Sequence, residues 1–316
     1  MKRFLINISA LFIVTALCLS APLYYFEYLA KRNMAKEPYR CMNRPFLYAG
    51  ENADLIVMGN SRAMHYDEDI LSKELGIKCR NIGWTGFPFI YQYHGMLQTY
   101  LNRNNPPKYI IQEIMPRLFF TQLQSPYVME TLPHINEPEY EFFFKKSPDI
   151  TLADHFLLPR YAGKMDKVFK QIGILREADK PEPLPNFYNE KPQLLQLGKT
   201  DTTGGKVLDR DEESIALFKQ YLNECDSMGI KMVFCCSPMH VDDALSTLDM
   251  EQFWFLIDSL KAHHNITILD YEDYFGNDTT YFYDPSHLKQ TGIEVYSRKV
   301  AHDLDSLGII SATQKK

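Results

Sequence analysis

Apolar residues come in short unbroken blocks along the chain, and longer segments of helical periodicity separate the blocks. Five blocks read as strands buried on both faces: Asp54–Met58 (DLIVM), Cys79–Ile82 (CRNI), Tyr109–Ile114 (YIIQEI), Lys231–Cys236 (KMVFCC) and Ile266–Asp270 (ITILD). They lack the in–out alternation of a half-solvated strand, which is the signature of parallel pairing under helices. Helical stretches fall at Asp67–Leu75, Phe89–Arg103, Glu212–Met228, Met250–Ala262 and Gln290–Leu307. Strand alternating with helix predicts an α/β fold, a doubly wound, flavodoxin-like parallel sheet of five strands with helices on both faces. Ligands of such sheets bind at the carboxyl ends of the strands.

Two segments break this rhythm. Between the third and fourth strands, about residues 117–210, the chain is rich in proline and aromatics. A structureless loop of that length is uncommon in a compact domain, so an inserted helical and loop subdomain over the ligand edge is expected, within an α/β domain of about 45–310. At the start, Lys2-Arg3 precede an uncharged run from Phe4 to Phe26. At about 1.5 Å per residue a helix of that length crosses a hydrocarbon core of about 30 Å. Residues 1–30 are therefore expected to be a membrane anchor, with a cleaved signal segment and secretion as the alternative. The leading positive charges favour an N-terminus inside and the bulk of the chain outside the cytoplasm, periplasmic or extracellular. Lys31-Arg32 on the far side oppose that bias.

The formal net charge of -6 disfavours a nucleic-acid partner, which would want a basic face. No cysteine or histidine spacing resembles a metal site, and no glycine-rich phosphate loop is present; neither a metal nor an organic cofactor is expected. An exported location permits disulfides, and Cys41–Cys79 is the candidate pair.

The chemistry lies at two distant points. The first strand runs into Gly59-Asn60-Ser61-Arg62. A serine straight after a buried strand and a glycine sits on a sharp strand-to-helix turn, with its hydroxyl at the ligand edge. On its own, a serine that begins a helix is more often a plain N-cap. Near the C-terminus stands Tyr283-Asp284-Pro285-Ser286-His287-Leu288. An aspartate three residues before a histidine lets one tight loop orient an imidazole through Nδ1 and leave Nε2 to take a serine proton. Together they predict Ser61 as nucleophile, His287 as base and Asp284 as its orienting carboxylate. His65 and His240 reach the same edge and are expected to be structural or to touch substrate.

This order of motifs resembles the SGNH (GDSL-type) hydrolase superfamily over about residues 52–305, the insertion excluded. Gly59-Asn60-Ser61 stands for its first block and Asp284-Pro285-Ser286-His287 for its last. The resemblance implies an oxyanion hole from the N–H groups of Ser61 and Gly83, the latter in Asn81-Ile82-Gly83-Trp84-Thr85-Gly86. Two positions depart from the family pattern: Asn60 stands where the family name implies aspartate, and no Gly-x-Asn-Asp block follows the third strand. The chain there reads Gln112-Glu113-Ile114-Met115-Pro116-Arg117, which leaves Gln112 or Arg117 as candidates for the remaining donor. Asn60, Arg62 and His240 are expected to contact substrate. A Gly-x-Ser-Arg first block, an N-terminal anchor and Asp-Pro-Ser-His-Leu are similar to the exported branch that includes alginate O-acetylation and D-alanyl-transfer proteins. That similarity implies acyl transfer to or from a cell-surface glycan, with a membrane-bound O-acyltransferase as a partner. The missing third-block asparagine keeps open a non-catalytic glycan-binding or assembly factor on the same fold.

Overall fold

The structure is a computed structural model that describes residues 1–32, 48–83, 90–120, 132–137, 150–177, 210–240, 250–276, 278–284 and 286–310. In chain order its elements are α1 (Lys2–Arg32), β1 (Leu55–Met58), a 3-10 turn (Ser61–His65), α2 (Glu68–Leu75), β2 (Cys79–Asn81), α3 (Ile90–Leu101), β3 (Tyr109–Glu113) and α4 (Arg117–Phe120). There follow α5 (Leu157–Arg160), α6 (Met165–Glu177), α7 (Glu212–Ser227), β4 (Lys231–Cys236), α8 (Met250–His263) and β5 (Ile266–Asp270). The chain closes with the short strands β6 (Phe282–Asp284) and β7 (His287–Leu288) and with α9 (Gln290–Ser306). They fall into two compact units, one from residues 44–126 and 185–316, the other from 1–43 and 127–184.

The larger unit is built on a five-stranded, all-parallel sheet of order β2-β1-β3-β4-β5. This is the flavodoxin-like order 2-1-3-4-5, whose switch point lies between β1 and β3. Side-chain parity splits the core into two layers. Leu55, Val57, Ile111, Val233 and Leu269 face one way and pack with Leu71 and Leu75 of α2 and Tyr296, Val300 and Leu304 of α9. Residues of opposite parity face α3, α7 and α8: the Phe234 and Phe218 rings lie 5.6 Å apart, and Tyr221 hydroxyl donates to Gln112 Oε1 at 3.2 Å. Helix starts follow simple capping chemistry, since Asp67 accepts from the N–H groups of Asp69 and Ile70 and so satisfies donors that open α2. The buried strands match the apolar blocks to within a residue at each end. The β6–β7 hairpin has no counterpart in the expected elements, because strands so short carry no periodicity.

The smaller unit joins two segments that the sequence suggests as separate pieces. α1 is long and apolar enough to cross a membrane, and its apolar window is solvent-facing throughout. Beyond Pro22 its face changes character: Leu23, Phe26, Leu29 and Ala30 are buried. Phe26 packs edge-on against Tyr161, ring centroids 5.6 Å apart. Glu27 pairs with the Arg160 guanidinium and accepts from the Tyr161 hydroxyl at 3.0 Å, and Lys31 pairs with Glu137 at 2.6 Å. The described part of the insertion is therefore attached to the end of the apolar helix by a buried arginine and an aromatic pair. The pairing proposed for Cys41 and Cys79 involves a residue outside those described, and the buried Cys79 thiol is free.

Candidate active site

β1 ends buried, and the chain must then turn sharply under its neighbours. Gly59 makes this possible, since a Cβ there would lie 2.5 Å from Glu113 Cβ and 3.2 Å from Ala63 Cβ. Gly59→Ala should therefore cost about 1–3 kcal/mol through overpacking, read as a lowered denaturant midpoint; an unchanged midpoint would show that the turn has slack. Asn60 then caps the turn, its Oδ1 accepting from Arg62 N at 2.9 Å, and Ser61 opens it. The cap is thus supplied by Asn60, and the Ser61 hydroxyl is left for other work.

Its partner comes from the β6–β7 hairpin, where Asp284 and His287 pair across two strands. Their juxtaposition follows from this tight antiparallel turn. His287 Nδ1 lies 2.9 Å from both Asp284 carboxylate oxygens, and His287 Nε2 lies 2.8 Å from Ser61 Oγ. Asp284 also accepts from the Ser286 N–H at 2.9 Å and from its hydroxyl at 3.2 Å. Burial works against ionisation of Asp284, but the hydrogen bonds and charge of His287 and Ser286 outweigh it and hold the carboxyl below its usual range. Asp284 is then an acceptor, Nδ1 carries the ring proton, and Nε2 faces the serine as an acceptor. All three side chains are partly solvent-accessible, as a site that receives substrate requires.

Beneath this trio lies a polar network with no counterpart in the sequence reading. Glu113, the last residue of β3, is fully buried and faces the Arg62 guanidinium at 3.2 Å. It also accepts from Tyr66 hydroxyl at 2.7 Å, Ser237 Oγ at 2.8 Å and Ser237 N at 3.1 Å. Burial pushes the Glu113 pKa up, and Arg62, Tyr66 and Ser237 oppose that rise. Arg62 donates further to Ser237 Oγ at 3.0 Å and to the Ser237 carbonyl. His65 completes the arrangement: its Nε2 accepts from Leu288 N at 3.2 Å, so Nδ1 is the donor to Ser237 Oγ at 3.1 Å. Burial first, then the charges of His287 and Arg62, depress the His65 pKa well below the histidine range, which favours the neutral ring that accepting from Leu288 N requires. The residue after His287 is thereby tied through His65 and Ser237 to Glu113, and Arg62, next to Ser61, is held by the same carboxylate. The network braces the segments that carry Ser61 and His287 from below.

The remaining candidates are distributed differently from expectation. Arg62, expected to meet substrate, is 4% exposed and is consumed by Glu113 and Ser237. Asn60 is buried, with Oδ1 in the cap and Nδ2 against Met115 Sδ. Gln112, a candidate oxyanion donor, points into the α7 face, where its amide donates to the carbonyls of Glu113 and Met58. Strand parity explains this, since 112 and 113 face opposite sides of the sheet. The Gly83 N–H donates to Asn81 Oδ1 at 2.9 Å in a local turn. Arg117 opens α4, and its side chain lies outside the described residues, as do Trp84 to Phe89. His240 is buried, edge-on to Phe282 with centroids 5.5 Å apart. Among the described residues no group accepts from the Ser61 N–H, and no three acidic, cysteine or histidine side chains gather in a metal-binding arrangement.

Compared with known proteins, the chain matches no family model and no curated protein sequence. The reading of the site rests on its geometry.

Proposed function

We propose that the chain is a membrane-anchored, extracytoplasmic serine esterase or O-acyltransferase of the SGNH type, acting on acyl esters of a surface glycan. The observation that carries this reading is the line of hydrogen bonds from Ser61 Oγ to His287 Nε2 at 2.8 Å and from His287 Nδ1 to Asp284 at 2.9 Å. Ser61 attacks the ester carbonyl while His287 takes its proton, and Asp284 stabilises the imidazolium. The Ser61 N–H, without a partner among the described residues at the start of the turn, receives the oxyanion. His287 then protonates the leaving alkoxide. Water or a sugar hydroxyl, deprotonated by His287, releases the acyl group from Ser61. The site's position at the β1/β3 switch point supports a ligand-binding role. The N-terminal helix would tether this chemistry to a membrane, and a membrane-bound O-acyltransferase is the acyl donor that such an arrangement suits.

A second reading, a glycan-binding or assembly factor without turnover, is favoured by one observation: the Gln112 amide and the Gly83 N–H are both engaged elsewhere. Loss of a single oxyanion donor costs about 3–4 kcal/mol of transition-state stabilisation. An acetyl-ester assay of the full chain in detergent separates the readings. Saturable turnover supports the enzyme, and none at any pH supports the second.

Asp284 stays ionised into more acid conditions than an ordinary carboxylate, because its pKa is lowered, so it remains an acceptor for His287 throughout the pH range of such an assay.

A further inference from the structure

The smaller unit presents apolar side chains that its own packing leaves uncovered among the described residues. Leu152 is 80% exposed and Phe156 60%. Both lie in the segment Thr151–Arg160, which Asp154 caps at Thr151, Asn136 binds at His155 and Arg160 joins to α1. The Arg160 guanidinium donates to the carbonyls of Asp154 at 2.7 Å and His155 at 3.2 Å, and its third nitrogen pairs with Glu27 of α1. Arg160 is 3% exposed, so this staple is a fixed internal joint. It sets the height of the Leu152–Phe156 segment along α1, at the level of Phe26 and Glu27.

That level is informative. Glu27 follows directly on the uncharged run that ends at Phe26, about 1.5 Å further along the helix axis. On the faces of α1 away from the insertion, Tyr24, Tyr25 and Tyr28 are all exposed. Tyrosines at the end of an apolar helix mark the headgroup level of a bilayer, where one end of the ring is apolar and the other wet. On α6, exposed Phe169 stands between exposed Lys167 and Lys170, with Asp166 beside them. An apolar side chain flanked by lysines suits the boundary between acyl chains and anionic headgroups.

We propose that the insertion is a membrane-surface element. Leu152 and Phe156 enter the headgroup–acyl boundary of the bilayer beside α1, and Arg160 holds them at that depth. This rests on the anchor reading of α1, and it goes beyond it in assigning the insertion a lipid contact of its own. The occupant is lipid rather than a protein, because the segment is joined through Arg160 to Glu27, directly after the apolar run of α1 and among its exposed tyrosines.

The test uses the full chain in nanodiscs of phosphatidylcholine and phosphatidylglycerol with no other protein. An environment-sensitive nitrobenzoxadiazole label is placed at Phe156→Cys, and separately at Leu152→Cys, in a Cys18→Ser, Cys41→Ser background; the buried Cys79, Cys225, Cys235 and Cys236 are shielded. Native Cys18, exposed on α1, labelled in the Cys41→Ser chain, reports the anchor, and Glu294→Cys in the same background, on the exposed face of α9, reports an aqueous site. The proposal expects the labels at 152 and 156 to emit at shorter wavelength than the one at 294. It also expects them to be quenched by brominated acyl chains and protected from aqueous iodide. Labels at 152 and 156 as open to iodide as the one at 294, with the Cys18 label in lipid, would overturn the patch and leave the anchor standing. Protection that arises only after a membrane protein is added would overturn it in favour of a protein partner. A Cys18 label open to iodide would overturn both. The catalytic reading is untouched by any of these outcomes, because its assay needs no bilayer.

Discussion

Ser61→Ala should reduce acetyl-ester turnover by about a thousand-fold or more, with the fold intact. The size of the effect follows from what the hydroxyl does. In the proposed mechanism it is the group that bonds to the acyl carbon, so no neighbour would substitute for it, and only binding and the backbone donor would remain. The intact fold follows from what the hydroxyl does not do. The 3-10 turn is capped by Asn60 Oδ1, and among the described residues Ser61 Oγ is bonded only to His287. A matched denaturant midpoint alongside lost turnover is therefore expected. Turnover within about ten-fold of the native chain would assign the chemistry to another residue.

Glu113→Ala has the larger effect on stability. Removing one member of a buried ion pair leaves the other charged and unpaired, at a cost of about 3–5 kcal/mol. Here the loss reaches further, because Tyr66 hydroxyl, Ser237 N–H and Ser237 hydroxyl lose the same acceptor. Desolvation of the carboxylate partly offsets the value of the network, as the raised pKa of Glu113 indicates. Replacing both charges by apolar groups, Arg62→Met with Glu113→Leu, should consequently be milder than Glu113→Ala alone. Chemical denaturation of the three chains checks this order. A loss below about 1 kcal/mol in Glu113→Ala would mean that water already reaches Arg62.

The two predictions divide the site into a working layer and a bracing layer, and only the first was legible in the sequence. The strand blocks and the motifs around Ser61 and around Asp284 and His287 are local patterns. An unbroken apolar run needs no knowledge of its neighbours, and neither does an aspartate three residues before a histidine. Ser61, Asp284 and His287 therefore meet as expected. The brace depends on residues far apart in the chain: Glu113 at the end of β3 and Ser237 just past β4 become neighbours only because β3 and β4 pair in register. Nothing local distinguishes Glu113 from any charged residue closing a strand. Arg62 was misplaced for the same reason. An arginine after a nucleophile reads as a substrate contact until the carboxylate that buries it is known. Gln112 is the converse case, since strand parity was available and would have turned it toward α7. The joining of α1 to the insertion rests on Glu27 and Arg160, which no periodicity links.

The central claim is that Ser61 is an activated nucleophile, and a fluorophosphonate probe tests it most directly. An unactivated serine hydroxyl does not react at a useful rate, whereas one with a base at hydrogen-bond distance does. Peptide mapping of the labelled full chain should find a single adduct on Ser61, absent from His287→Ala. An unlabelled Ser61 in chain that remains folded, under conditions where a control serine esterase labels fully, would contradict the account.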